Sequence, residues 1–208
     1  MTWTYSEGSW PAVLQVTNGS TRIAINYDEW AESPRSWDNV GTFYIWDRDV
    51  SSPDECDYSS FDAWRVEWDE ADDADAVAIP VRCQYLGANG SRYRVSEWDE
   101  ANGVIFATGD KVRAEWGDSD DNLSQAYGVL TGEIATYEEW ANGNVYTFTV
   151  FNRSECECCH NVEWNALHSV SGFYAVSDAL SEAHSYCATA DDVNEITAVL
   201  PSYYRDGN

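Results

Sequence analysis

The chain has 208 residues, with 37 acidic side chains against 11 basic ones and a formal charge of −26. A surface this acidic excludes direct binding to DNA, RNA or an anionic membrane, because like charges repel, and an apolar share of 44% excludes a chain too polar to fold. No apolar run approaches the roughly 20 residues of a membrane span, and Met1 to Glu7 carry neither the basic nor the apolar segment of a signal peptide.

In chain order, residues 1–20 read as a loosely ordered end. Residues 21–27 alternate well enough to predict a strand. A polar turn broken by Ser33-Pro34 leads to a second strand over 41–46. Residues 47–60, rich in Asp, Ser and Pro, read as a loop. Phe61 to Trp68 suits either a short strand or a helical turn, and Asp69 to Asp75 reads as a solvated acidic segment. Strands over 77–86 and 91–96 flank the turn Gly87-Ala88-Asn89-Gly90, and another covers 103–107. A helix is predicted over 108–116, with Thr108 as N-cap, Asp110 early and Arg113 late. A longer one spans about 121–141, where Leu123, Ala126, Tyr127, Leu130, Ile134 and Tyr137 recur at helical spacing before Asn142-Gly143. Residues 145–151 read as a strand, followed by a cysteine-rich loop and a short strand over 172–176. Helices then run from Ser177 to about Cys187 and over 190–200, and 201–208 is a second loose end. The sum is an α+β fold, mostly antiparallel sheet with helices concentrated in the C-terminal half, in a single domain.

Two physical origins of the charge compete. In about 1 M salt the Debye length is roughly 3 Å, so repulsion is screened while the carboxylates stay hydrated. Asp over Glu (20 against 17), Arg over Lys (10 against the single Lys111) and Val over Ile and Leu (18 against 7 each) fit such a solvent, and a GC-rich genome gives part of the same pattern. The other origin is mimicry of a polyanion, with spaced carboxylates occupying a basic nucleic-acid groove. In molar salt only close pairs to Arg or Lys survive. Composition favours solubility in salt.

Six of the 11 tryptophans follow a glutamate, namely Trp30, Trp68, Trp98, Trp116, Trp140 and Trp164. Their irregular spacing excludes a repeat architecture. Amphipathic packing, indole inward and carboxylate outward, is the favoured reading over a set of exposed anchors.

Cys156-Glu157-Cys158-Cys159-His160 contains a C-x2-C pair, and His184 and Cys187 sit three apart on a predicted helix. Cys156, Cys159, His184 and Cys187 together suit tetrahedral structural zinc, with Cys158 and His168 as spare ligands. The competing reading is buried or free thiols; disulfides are disfavoured in a reducing cytoplasm. The acidic runs Asp69, Glu70, Asp72, Asp73, Asp75 and Asp118, Asp120, Asp121 lack the spacing of a calcium loop. They are candidate partner-binding elements. No Gly-x-Ser-x-Gly, Walker loop or dinucleotide fingerprint is present, so no catalytic residue is assigned.

The last constellation is Glu32-Ser33-Pro34-Arg35-Ser36-Trp37-Asp38-Asn39-Val40-Gly41-Thr42, preceded by Tyr27-Asp28. Pro34 fixes a turn, Asp38 and Asn39 suit bonds to local amides, and Arg35 is expected to ion-pair with Asp28, Glu32 or Asp38. This stretch resembles the hallmark of a family of uncharacterised tailed-phage proteins, approximately Asp-x-x-x-Glu-Ser-Pro-Arg-Glu-Trp-Asp-Asn-Leu-Gly-Thr. Weaker matches follow in order at 77–86, Gly103–Phe106, Lys111–Gly117 and Gly172-Phe173-Tyr174. Departures are Ser36 in place of Glu, and Tyr44-Ile45-Trp46-Asp47 in place of a different aromatic–basic run. The resemblance implies a viral accessory gene expressed in the host, and no known reaction.

The resulting expectation is a viral accessory protein of the host cytoplasm that binds a host protein with a basic surface. Its most concrete form is an acidic counter-defence inhibitor that mimics nucleic acid. The alternatives are a virion component and a zinc-stabilised module or metalloenzyme.

Overall fold

The computed structural model describes residues 2–8, 11–46, 58–71, 73–117, 121–186 and 190–205. One domain was expected, because no spacer-like segment stands out in the sequence. The chain divides into two compact units, Met1–Ala31 with Gly143–Asn208, and Glu32–Asn142, the second inserted into the chain of the first. The α+β class holds: all strand pairs are antiparallel, and helices lie mostly in the second half.

The first unit is a sheet of β1 (Thr4–Glu7), β2 (Ala12–Thr17), β3 (Thr21–Tyr27), β8 (Tyr146–Glu155) and β9 (Val162–Phe173), in that spatial order. The N-terminal residues, expected to be loose, therefore supply two strands. Leu14 and Val16, Ile23 and Ile25, and Phe148 and Val150 occupy alternate positions, so the period of two turns all six toward one face. There they pack with Trp3, with Ala179, Leu180 and Ala183 of α4 (Val176–His184), and with Ile196 of α5 (Ala190–Val199). A short α6 (Ser202–Arg205) falls in the end expected to be loose. Where a cysteine-rich loop and a short strand at 172–176 were expected, β8 runs on to Glu155 and β9 occupies most of the remainder.

The second unit is a sheet ordered β4 (Thr42–Ile45), β7 (Gly103–Ala107), β5 (Val77–Tyr85), β6 (Ser91–Val95). Both faces are covered, again by the alternation of side chains. Phe43, Ile45, Ile79, Val81, Cys83, Ile105 and Ala107 face α2 (Gly109–Trp116) and α3 (Asn122–Ala141). Val104 and the half-buried Tyr44, Ala78 and Phe106 face α1 (Phe61–Ala71). The segment that suited strand or helix is thus a helix, with Phe61, Trp64 and Trp68 on one stripe. Thr108 caps α2 through a bond from the Lys111 amide, and Gly117 closes it at a positive φ of 70°, which glycine adopts without strain. In α3, Ala126, Leu130, Ile134 and Tyr137 are buried, whereas Leu123 and Tyr127 of the same expected stripe are exposed.

Side chains at the end of α3, with its cap Asn142, also finish the sheet edge. Asn142 exchanges hydrogen bonds with both the amide and the carbonyl of Ser91, at 2.7 Å each, and Glu138 accepts the Tyr93 amide at 2.8 Å. Backbone groups on the outer side of β6 are thereby paired within the chain, which protects the edge against strand addition.

Of the six tryptophans that follow glutamate, Trp30 departs from inward packing: it is 89% exposed. The other five are half-buried. Trp164, on the exposed β9, lies under the Arg22 guanidinium at 4.2 Å. Among the described residues no helix is long and apolar enough to cross a membrane.

Candidate functional site

Three arrangements bring chemistry-bearing residues together, two in the second unit and one in the first.

The first is a cleft of about 480 Å³ beside α1. Its apolar wall is made by Tyr58, Trp64, Trp68 and Phe106, and its acidic residues are Glu67, Asp69 and Asp73. The rings brace one another: Trp68 stacks on Trp64 at 5.1 Å and meets Phe106 edge-on at 5.4 Å. The helical period turns Trp64 and Trp68 toward the sheet and leaves Glu67 exposed beside them. Among the described residues Glu67 has no ion-pair partner, and Asp69 has only the exposed Arg65 at 3.9 Å. A ring-walled cleft with two loosely held carboxylates suits a cationic side chain.

The acidic run that drew attention in the sequence divides by role. Glu70 is exposed. Asp73 accepts the Gly109 amide at 3.0 Å and the Asp75 amide at 3.2 Å, so it holds the start of α2. Asp75 pairs with Arg113, which also pairs with Asp110 at 2.6 Å. The segment read as simply solvated is therefore partly tied to α2. Asp121 stands at the N-terminus of α3. Asp72, Asp118 and Asp120 lie outside the described residues.

The second arrangement is the motif turn. Pro34–Ser36 form a short 3₁₀ helix capped by Ser33, and the Asn39 side chain donates to the Pro34 carbonyl at 2.6 Å. Pro34, Arg35, Trp37, Asp38, Asn39, Gly41 and Thr42 line a cavity of about 410 Å³ together with Glu133 and Tyr137 of α3. The expected pairing of Arg35 is corrected. Asp38 goes to Lys111 at 3.4 Å, and Arg35 lies over the Tyr137 ring at 5.9 Å, with no ion pair among the described residues. Glu32 is exposed. Asp28 belongs to the first unit, where it accepts the Trp30 amide at 3.1 Å. Glu133 had no mark in the sequence. Its two oxygens accept the Val40 and Gly41 amides at 3.0 Å each, and burial pushes its carboxyl above the usual range against the pull of those bonds. Gly41 has no room for more: a Cβ there would meet Glu133 and Leu130 at 2.6 Å and Ile105 at 2.7 Å.

The third arrangement is the tip of the β8–β9 hairpin. Cys156, Cys158 and Cys159 are exposed free thiols whose sulfurs all lie within 4.8 Å of one another, a group that could hold a metal ion. The tip is closed by the Cys156 amide on Asn161 and the His160 amide on Cys156, both at 2.9 Å, with His160 in a left-handed conformation at φ 55°. The Cys158 thiol, 2.9 Å away, and the Cys158 and Cys159 amides hydrogen-bond the Cys156 sulfur and bring its thiol down to about 6. His160 turns its Nδ1 to Glu155 at 3.0 Å.

The ligand set expected from spacing is only partly assembled. Cys156 and Cys159 meet, the spare Cys158 joins them, and Cys187 lies outside the described residues. His168 pairs opposite Val150 on β9 and packs on the Tyr186 ring at 4.4 Å. Six strand residues from Val150 to Cys156, at about 3.3 Å each, put it about 20 Å from the tip. His184 is half-buried on α4, and its Nε2 is buried without a hydrogen-bond partner.

Burial pushes the His184 imidazole below its ordinary 6.5. The lowered value means that its contribution to stability is present above the ordinary histidine value and is lost as pH falls through the folded value. His184→Gln, which has no ring to protonate, is expected to lessen the fall in urea midpoint below about pH 6.5.

Compared with family models, curated proteins and solved structures, the chain matches none.

Proposed function

We propose that this chain is a viral accessory protein that binds a host protein, with a basic side chain of that partner seated in the cleft beside α1. The observation that carries the reading is the cleft: ring faces from Trp68, Tyr58 and Phe106, with Glu67 and Asp69 beside them. A guanidinium held there gains about 0.5–2 kcal/mol from the rings. It also makes short charge-assisted bonds that molar salt does not screen away. At ordinary ionic strength the charge of −26 steers a basic partner toward the surface. The viral setting in the host cytoplasm is supported by the motif at Asp28 to Thr42, and counter-defence by closure of a basic nucleic-acid groove is its most concrete form.

Capture from host lysate, followed by titration of the recovered partner, tests this. Trp68→Ala, and separately Glu67→Lys with Asp69→Lys, are expected to weaken binding by about 2 kcal/mol, on the order of 30-fold. Recovery of a partner held equally well by both variants would sink the reading.

We also propose zinc as the ion for the thiols at the hairpin tip. The meeting of three exposed sulfurs supports it, since thiolates suit this borderline-soft cation. Protein purified without oxygen is expected to hold about one zinc per chain; protein that holds none and takes up none removes this reading.

A further inference from the structure

We infer that the hairpin tip is a metal site complete in itself, made by the thiolates of Cys156, Cys158 and Cys159, with a fourth coordination corner open to a soft ligand from outside the chain. The inference rests on the zinc reading and goes beyond it by fixing the ligand set and the open corner.

The geometry supports three sulfurs. Around a tetrahedral ion with metal–sulfur bonds of about 2.3 Å, sulfurs stand about 3.8 Å apart. The three sulfurs here lie within 4.8 Å of one another, with Cys156 and Cys158 at 2.9 Å, so an ion needs only a small opening of that pair. All three side chains are exposed and free to make it.

A fourth ligand from the described residues is not at hand. His160 stands outside the group of three and spends its Nδ1 on Glu155. His168 is about 20 Å away along the hairpin by strand rise. His184 lies on α4, which packs on the far end of β8 with Tyr186 against Phe148 and His168. A tetrahedral ion bound by three thiolates at an exposed tip therefore turns its last corner to solvent. That corner holds water in the isolated protein and takes a thiolate in preference when one is supplied. The turn is already closed by the hydrogen bonds of Cys156, His160 and Asn161, so the ion joins no distant segments and the fold does not depend on it.

Titration of the full chain with Cd²⁺ tests this, after reduction with a phosphine and exclusion of oxygen. One Cd²⁺ per chain is expected, with a thiolate-to-metal charge-transfer band. Cys156→Ser, Cys158→Ser and Cys159→Ser should each lower that band by about one third or abolish binding. His160→Ala and His184→Ala should leave it unchanged. Added 2-mercaptoethanol should raise it by about one third. Failure to bind Cd²⁺ at all removes the zinc reading together with this inference. A band that survives Cys158→Ser but is lost in His184→Ala or Cys187→Ser leaves the metal in place and overturns this ligand set. One Cd²⁺ per two chains, or a band indifferent to the added thiol, overturns the open corner.

Discussion

Trp64→Ala is expected to cost the second unit about 3–5 kcal/mol, the range for removing a large aromatic ring from a packed core. Trp64 is 2% exposed and lies among Trp68 at 5.1 Å, Phe106 at 5.3 Å, Phe61 at 6.2 Å and Trp98 at 6.4 Å. A domain stable by about 5–15 kcal/mol loses a large fraction of that margin. Trp64→Phe keeps a ring in the stack and should lose clearly less. Guanidinium midpoints of both variants, followed by circular dichroism, check the order. Equal midpoints for wild type and Trp64→Ala would mean that this ring stack does not hold α1 to the sheet.

The second large effect is expected at Glu133. Its carboxylate is the acceptor for two consecutive amides, Val40 and Gly41, at the entry to β4. Glu133→Ala leaves both without a partner in a half-buried place. An unsatisfied buried amide costs about 1–3 kcal/mol, so for the two a loss of about 2–6 kcal/mol is expected. Glu133→Gln retains one acceptor oxygen and should fall between. Hydrogen exchange at Val40 and Gly41 reports the same bonds directly. Protection there that is unchanged in Glu133→Ala would show that the amides have another acceptor.

Glu133 also shows the limit of what the sequence reveals. The turn from Pro34 to Asn39 is local, and its capping chemistry can be read from Ser33, Pro34 and Asn39 alone. Its anchor stands 92 residues further on, on a helix whose three half-buried glutamates look alike in sequence. Elements with a strong period and clear ends were legible: β3, the β5–β6 hairpin, α2 between Thr108 and Gly117, and α3 up to Asn142. α1 stayed ambiguous because Phe61, Trp64 and Trp68 are residues of high strand propensity placed at helical spacing. β9 was missed for the opposite reason. It lies at the sheet edge with nearly every side chain exposed, so burial imposes no alternation on it. β2 shows the plain alternation of Leu14 and Val16 and was legible in principle. At the thiol site the C-x2-C pair was readable. Cys158 was legible only as a spare ligand, because its meeting with the pair depends on the reversal of the chain at His160.

The insertion has a consequence for how the protein is made. β3 pairs with β8, Tyr27 opposite Tyr146, yet the whole second unit lies between them in the chain. A ribosome adding about 5–20 residues per second delivers β8 on the order of ten seconds after β3. During that interval the inserted unit has all its strands and can close, while β1 to β3 wait with Ile23 and Ile25 uncovered and one edge unpaired. The nascent chain thus spends its early life as a folded cassette attached to an unfinished sheet. Its dense negative charge keeps neighbouring nascent chains apart while that edge is open.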